Sequence, residues 1–362
     1  MHSPLHAAHE KLGAMFTDFG GWEMPLRYDN ELAEHRAVRE NVGLFDLSHM
    51  GEIRVTGDQA GEFLDFALIS QLSALAVGRA KYTMIVAEDG GIIDDLIVYR
   101  LGETEYLVVP NAGNAAAVSA ALAERATAFD VTLSDETSGT ALIAVQGPRA
   151  ADLLAGIADE PDTLRQLKYY AAMPATISGH EVLLARTGYT GEDGFELFIP
   201  NAAAQTLWEA LLKAGEPLDM LPCGLAARDS LRLEAGMPLY GHELSKDLHP
   251  ADAGLGVLVS KKKSPDFFAA DALLNAPEPA RVLIGLQGTG RRAARADAAV
   301  STPGGESIGV ITSGQLSPTL GYPIALAYVD RAYAAEGTQL EADIRGKKYP
   351  YTVVKLPFYT RR

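Results

Sequence analysis

Hydrophobic spacing divides this chain into helical and extended stretches. Residues 201–215, NAAAQTLWEALLKAG, place Ala204, Leu207, Trp208, Leu211 and Leu212 on one helical stripe and stop at Gly215. The next run, PCGLAARDSLRLEAG, has Pro222 near its start and Gly236 past its end, the asymmetry of a helix. An earlier helix is expected from Asp29 as N-cap through NELAEHRAVRENV, stopping at Gly43. Others are expected over AGNAAAVSAALAERA and around 149–157. Strand and turn signals dominate 50–107 and return over 132–199. Residues 276–279 read as a linker, and the short strands beyond them, parted by Gly, Pro and Ser turns, predict a small all-β domain. Antiparallel strands with segregated helices argue for an α+β fold. There is no internal repeat.

One strand interrupts its own pattern. In EDGGIIDDLIVYR, residues 88–100, a Gly-rich hairpin turn leads into a strand holding two adjacent aspartates. Successive side chains alternate between faces, so Asp94 lies with Ile92, Leu96 and Val98, and Asp95 with Ile93, Ile97 and Tyr99. Both faces are otherwise apolar. At least one carboxylate must therefore sit where water is scarce, which is unfavourable unless something pairs with it or uses it. Periodicity does not choose between the two.

Two further segments carry charge in apolar company. In RTGYTGEDGFELFIP, residues 186–200, Phe195, Leu197 and Ile199 point one way and Glu196 the other, with Phe198. Glu196 is expected to be partly buried, and Glu192 and Asp193, in the turn, to be solvated. A carboxylate can accept two parallel hydrogen bonds from an amidine-like N–H pair, such as that of a pterin or guanine ring; a solvated edge-strand position or a salt bridge is the plainer account. In GLAARDSLRLEAG, Arg228 and Arg232 are four residues apart on one helix face, where like charges repel. Asp229 can reach Arg232, which leaves Arg228 freer, with Glu196 a candidate partner.

Composition narrows the classes. The 362 residues favour two or three domains, and 48% hydrophobic with 22% charged residues is ordinary for a globular protein. A net charge of −16 argues against nucleic acid and anionic membranes as partners. No run reaches membrane-spanning length and no targeting segment is evident. The single cysteine, Cys223, fits a reducing compartment and lacks the local signature of a nucleophile. Basic spots at 260–263 (SKKK), 290–295 (GRRAAR) and the terminal Arg361 and Arg362 are where an acidic partner would dock. Gly288, Gly290 and Ala293 spell a dinucleotide-like G-x-G-x-x-A, but turn and strand residues follow where that motif needs a helix. There is no P-loop and no G-x-S-x-G elbow. His2, His6 and His9 have helical spacing, yet no neighbouring cysteine or carboxylate completes a ligand set, and no metal is expected.

Taken in order, DFGGWEMPLRY, GLFDLSHMGE, GGIIDDLIVY, AVQGP, RTGYTGEDGFE, GLAARDSLRLEAGMPLYG, TSGQLSPTL and LPFY resemble the T-protein of the glycine cleavage system almost end to end. The resemblance implies a three-domain cloverleaf: 1–50 with 138–275, then 51–137, and 280–362 as a small β-barrel or jelly-roll-like domain. It implies a cytoplasmic aminomethyltransferase of glycine catabolism. A lipoylated carrier, the H-protein, would bring an aminomethyl group; its carbon would pass to tetrahydrofolate, with ammonia released and 5,10-methylenetetrahydrofolate formed. Position by position, the resemblance makes Asp95 the catalytic acid, Glu196 the pterin holder and Arg228 a folate ligand. Met50, Tyr82, Asn111 and Tyr189 would line the pocket, and Tyr359 corresponds to the family's C-terminal tyrosine. One departure is Val257, where relatives often carry tryptophan. The competing readings are a folate-dependent demethylase or methyltransferase of the same superfamily, told apart by whether turnover needs a lipoyl carrier, and a non-enzymatic folate-binding accessory protein. The latter's K-G-C-Y-x-G-Q-E motif is missing, and Cys223 lies in an unrelated segment.

Overall fold

The computed structural model describes residues 1–264 and 266–361; Arg362 of the terminal basic pair lies outside them. The chain forms two compact units, Met1–Ile85 with Asp94–Arg228, and Val86–Ile93 with Asp229–Arg362.

The first unit is built on a six-stranded sheet in the order Ala172–Ile177, His180–Ala185, Gly194–Pro200, Thr140–Gln146, Gly43–Asp46, Leu221–Pro222. Its pairs are antiparallel except the last. The helix Asn201–Gly215 follows directly on the third strand and lays its stripe on the sheet. Ala204, Leu207, Trp208 and Leu211 close a core with Phe195, Leu197 and Ile199, while Leu212 is only partly buried against it. Each buried Leu, Ile or Phe of this core contributes about 1.5–3 kcal/mol by leaving water, so this face fixes the register of the strand that carries Glu196.

A five-stranded sheet runs Ala80–Val86, Ile92–Gly102, Glu105–Pro110, Ile53–Thr56, Thr132–Asp135. A short helix, His6–Lys11, precedes the hairpin Met15–Phe19 and Trp22–Arg27. The second unit holds a closed six-stranded barrel, Arg281–Gly288, Pro323–Asp330, Ser307–Leu316, Ala299–Ser301, Gln339–Ile344 and Lys347–Val354, around a core that includes Leu286, Ile311, Val329 and Val353. The α+β reading and the C-terminal all-β reading both hold. Gly288 ends a barrel strand, and among the described residues no α-helix follows it.

Several expected boundaries move. The first long helix is Glu31–Glu40, and its cap is Asn30 rather than Asp29: the Asn30 side chain accepts from the N–H groups of Leu32 (2.9 Å) and Ala33 (3.3 Å). Gly43 opens a strand instead of ending the helix, and a Cβ there would stand 2.3 Å from Val38. The helix expected around 149–157 is Ala150–Ala155, and Pro161–Gln166 adds another. Ala60–Ala67 is a helix inside the stretch read as strands; eight residues give too few turns for its stripe to stand out.

Candidate active site

The hairpin that delivers the paired aspartates closes as its glycines suggest. Gly90 adopts φ +89°, its N–H donates to Ala87 O, and Gly91 N–H donates to the Asp89 side chain. Along the strand Ile92–Gly102, Ile92, Asp94, Leu96 and Val98 are buried, and Ile93, Asp95 and Ile97 are half-buried. Asp94 is the aspartate shut away from water. It accepts from Asn111 N–H (2.8 Å), Asn111 Nδ2 (2.9 Å) and Asn114 Nδ2 (2.7 Å). Asp95 turns the other way and accepts from Tyr82 Oη (2.9 Å) and Asn111 Nδ2 (2.9 Å). Burial pushes Asp94 up to about 7, with the Asp95 charge adding to the shift. Burial also pushes Asp95 up to about 6, and the Tyr82 and Asn111 hydrogen bonds hold it from going higher.

Glu196 lies on an interior strand of the six-stranded sheet, not an edge. It is buried, and its Oε2 accepts from Tyr99 Oη (3.3 Å) and from Thr187 Oγ1. Among the described residues no protein donor reaches Oε1. The Arg228 guanidinium stands 4.7 Å from the centroid of the Tyr189 ring, a cation–π contact. Burial holds the Arg228 pKa below its ordinary value, opposed by Tyr189 and Glu196. The ion pair expected between Glu196 and Arg228 does not form, because Glu196 turns to Thr187 and Tyr99. Tyr82 in turn feels Tyr189 and Tyr170 as well as Asp95. Asp95, Tyr82, Tyr189, Arg228 and Glu196 thus form one electrostatically linked set, joined by Asn111. Met50 closes a short turn, its N–H donating to Leu47 O (2.9 Å), and the Gly51 that follows packs so closely on Pro110 that a Cβ would stand 2.8 Å from that ring.

Residues 5–263 match the family described as the GCVT N-terminal domain, and residues 281–360 match the glycine cleavage T-protein C-terminal barrel domain. The chain belongs to the glycine cleavage T-protein family. It is 57% identical to an aminomethyltransferase of Corynebacterium aurimucosum, over 100% of this chain and 98% of the relative. It is 56% identical to another of Corynebacterium jeikeium, over 99% and 97%. The crystal structure of glycine cleavage system aminomethyltransferase T from Bartonella henselae superposes with a TM-score of 0.92 at 40% identity, covering 100% of this chain and 99% of that one. The protein is accordingly an enzyme of the aminomethyltransferase type.

For a T-protein chain, the structure also brings forward residues that sequence reading passed over. Tyr170, with φ +56°, has its hydroxyl pKa raised by burial first and then by Tyr169, Glu196 and Asp95. Tyr99 binds Thr187 and Glu196, and its shared face with Asp95 was the available signal. His49 is buried beside Arg228, and burial, then that cation, lower it to about 4, so it stays neutral. The turn acids are not solvated as expected. Glu192 is buried in an ion pair with Arg39 (2.9 Å), and Asp193 pairs with Arg186 (2.6 Å), because the Gly-rich turn folds back onto both cations. Tyr359 belongs to the second unit, where its N–H donates to Glu234 O (2.8 Å). Val257 is fully solvent-facing. Cys223 is buried against backbone carbonyls with its thiol pKa raised, unsuited to attack. A cavity of about 660 Å³ opens beside Glu52, Arg54, Glu136, Met173 and Phe198, and none of the expected site residues lines it.

Proposed function

We propose that the enzyme moves the carbon of an aminomethyl-dihydrolipoyl carrier protein to tetrahydrofolate. Two folate nitrogens bond to that carbon as its bonds to the amine and to the lipoyl sulfur break. The two folate N–H protons leave with them, giving 5,10-methylenetetrahydrofolate, ammonia and the dihydrolipoyl carrier. The observation that carries this reading is the state of Asp95: a half-buried carboxylate, fixed by Tyr82 and Asn111, with one linked neighbour, Glu196, keeping an oxygen free of protein donors. Attack on an aminomethyl carbon develops positive charge as the amine departs. A carboxylate already oriented in a dry site stabilises that charge without reorganising and can hold a proton.

The donor set fits tetrahydrofolate. Glu196 Oε1 can accept from the N–H pair of a pterin ring, and Arg228 offers a guanidinium that no protein carboxylate reaches among the described residues. Tyr189 holds that guanidinium over its face. Met50, Tyr82 and Asn111 would shape the rest of the pocket. These contacts orient substrate, and orientation supplies much of the rate in a two-substrate transfer. The carrier would dock on exposed basic residues such as Arg291 and Arg292, and charge reversal there should raise its KM. Among the described residues no helix is long and apolar enough to cross a membrane, and a cytoplasmic setting is proposed with the glycine cleavage system.

The test supplies aminomethylated lipoyl carrier and tetrahydrofolate and follows methylenetetrahydrofolate. Asp95→Asn should lower kcat by roughly 10²–10⁴, and Asp94→Asn by less, since it acts indirectly, through Asn111 and through its charge beside Asp95. The wild-type rate should rise with pH through about 6 as Asp95 ionises, and this limb should vanish from the residual activity of Asp95→Asn. A dead Asp94→Asn beside an active Asp95→Asn would overturn the assignment. Turnover without the carrier would point instead to a demethylase-type reaction.

A further inference from the structure

The three N-terminal histidines part company in the fold. His9 is buried, with Nε2 2.8 Å from Asp46 and Nδ1 2.9 Å from the Tyr28 hydroxyl, so it is fully engaged. His2 and His6 stay together, their rings stacked 3.9 Å apart at 20°. Both face a carboxylate that the sequence does not place beside them. Glu23, on the strand Trp22–Arg27, sets Oε2 2.9 Å from His2 Nε2 and 3.9 Å from His6 Nε2. One ligand atom from each residue lies within 4.8 Å of the other two.

The backbone holds this spacing. His2 forms a β-bridge with Glu23, and Glu23 N–H donates to Met1 O at 2.8 Å. His6 opens the helix His6–Lys11, and its ring packs 4.6 Å from Phe16 on the facing strand. Its Nδ1 is enclosed without a partner, which leaves Nε2 as the nitrogen available to a ligand.

We propose that His2, His6 and Glu23 form a site for a divalent transition-metal ion of the zinc class. Two imidazole nitrogens and one carboxylate are a zinc-type donor set, and harder ions such as magnesium or calcium prefer all-oxygen ligands. Zinc–ligand bonds of about 2.0–2.2 Å in tetrahedral geometry put neighbouring ligand atoms roughly 3.3 Å apart. The two distances from Glu23 bracket that value, and two of the three side chains are solvent-exposed and free to adjust. The fourth position is left to water. The ligands come from the extended N-terminal residues, the first helix and the hairpin, so a bound ion would staple these together. None of the three belongs to the aminomethyl-transfer site. The role is structural.

The test uses the full-length protein stripped with a chelator and titrated with zinc chloride by calorimetry, with thermal melts in parallel. One ion per chain should bind, and zinc should raise Tm. His6→Ala and Glu23→Gln should each weaken binding by more than about tenfold, as loss of even an outer-shell partner does elsewhere, and should abolish the Tm rise. His180→Ala, which removes a histidine outside the cluster, should change neither. Absence of saturable binding, or equal affinity in wild type and the His2→Ala/His6→Ala double variant, would overturn the proposal.

Discussion

Arg228 and Arg232 sit one turn apart on the helix Leu225–Glu234 and meet opposite surroundings. Arg232 is buried and answered on every side: Nη1 donates to Glu243 (2.9 Å) and Met237 O (3.1 Å), Nε to Asp229 (2.9 Å), and Nη2 to Ser313 (2.8 Å). Arg228 meets a tyrosine face, a neutral histidine and, among the described residues, no carboxylate in ion-pair reach. A guanidinium cannot shed its proton to escape this position. The difference separates a charge the fold has satisfied from one that no ion pair answers among the described residues. The same division runs between Asp94, held by three N–H donors and fully buried, and Asp95, held by two groups and half-buried.

If that division is right, the two arginines should fail differently. Arg232→Met strands Glu243, which is fully buried, without its cation, and should cost about 3–5 kcal/mol of stability, read as a lowered denaturant midpoint at unchanged m. Arg228→Met should leave the midpoint nearly where it was and raise the tetrahydrofolate KM by roughly 10–100-fold, the loss of one hydrogen-bonded charge, about 1.5–3 kcal/mol. Equal loss of stability in both variants would erase the distinction and make Arg228 a structural residue.

Part of this division is legible in the amino-acid sequence. The pairing of Asp229 with Arg232 follows from helical spacing, and the opposite facing of Asp94 and Asp95 from the pleat. The helix over 201–215 is equally plain, because four turns of apolar stripe cannot be mistaken for a strand. What spacing cannot supply is partners from elsewhere. Asn111 reaches Asp95 because Leu96 registers with Pro110 across the hairpin, which sets residue 111 opposite residue 95. A slip of one residue would send that side chain to the other face. Glu192 reads as solvated because its cation, Arg39, lies 153 residues away in the chain. Glu23 joins His2 and His6 only once the hairpin has folded back beside the N-terminus. Charges answered locally can be read from spacing; charges answered across the fold cannot.

Glu52 tests the rule from the other sign. It is as buried as Arg232, and neither of its carboxylate oxygens has a hydrogen-bond partner among the described residues. Burial first, then the charges of Asp135 and Glu136, push it up to about 9. Unlike an arginine, it can become neutral by taking a proton, so its isolation does not call for a ligand. The sign follows from linkage. The folded pKa is above the unfolded value of 4.5, so the contribution is whole below about pH 4.5 and is lost as pH rises toward 9, because the unfolded chain has released a proton that the folded one keeps. Over that window the loss approaches about 1.4 kcal/mol per pH unit. Glu52→Gln mimics the neutral acid, so urea midpoints measured from pH 5 to 8 should show the variant gaining on wild type with each unit, whatever the other carboxyls contribute to both. Parallel slopes would mean that Glu52 is ionised in the folded protein. A cation would then have to answer it, and burial without a partner would mark a ligand for carboxylates as it does for arginines.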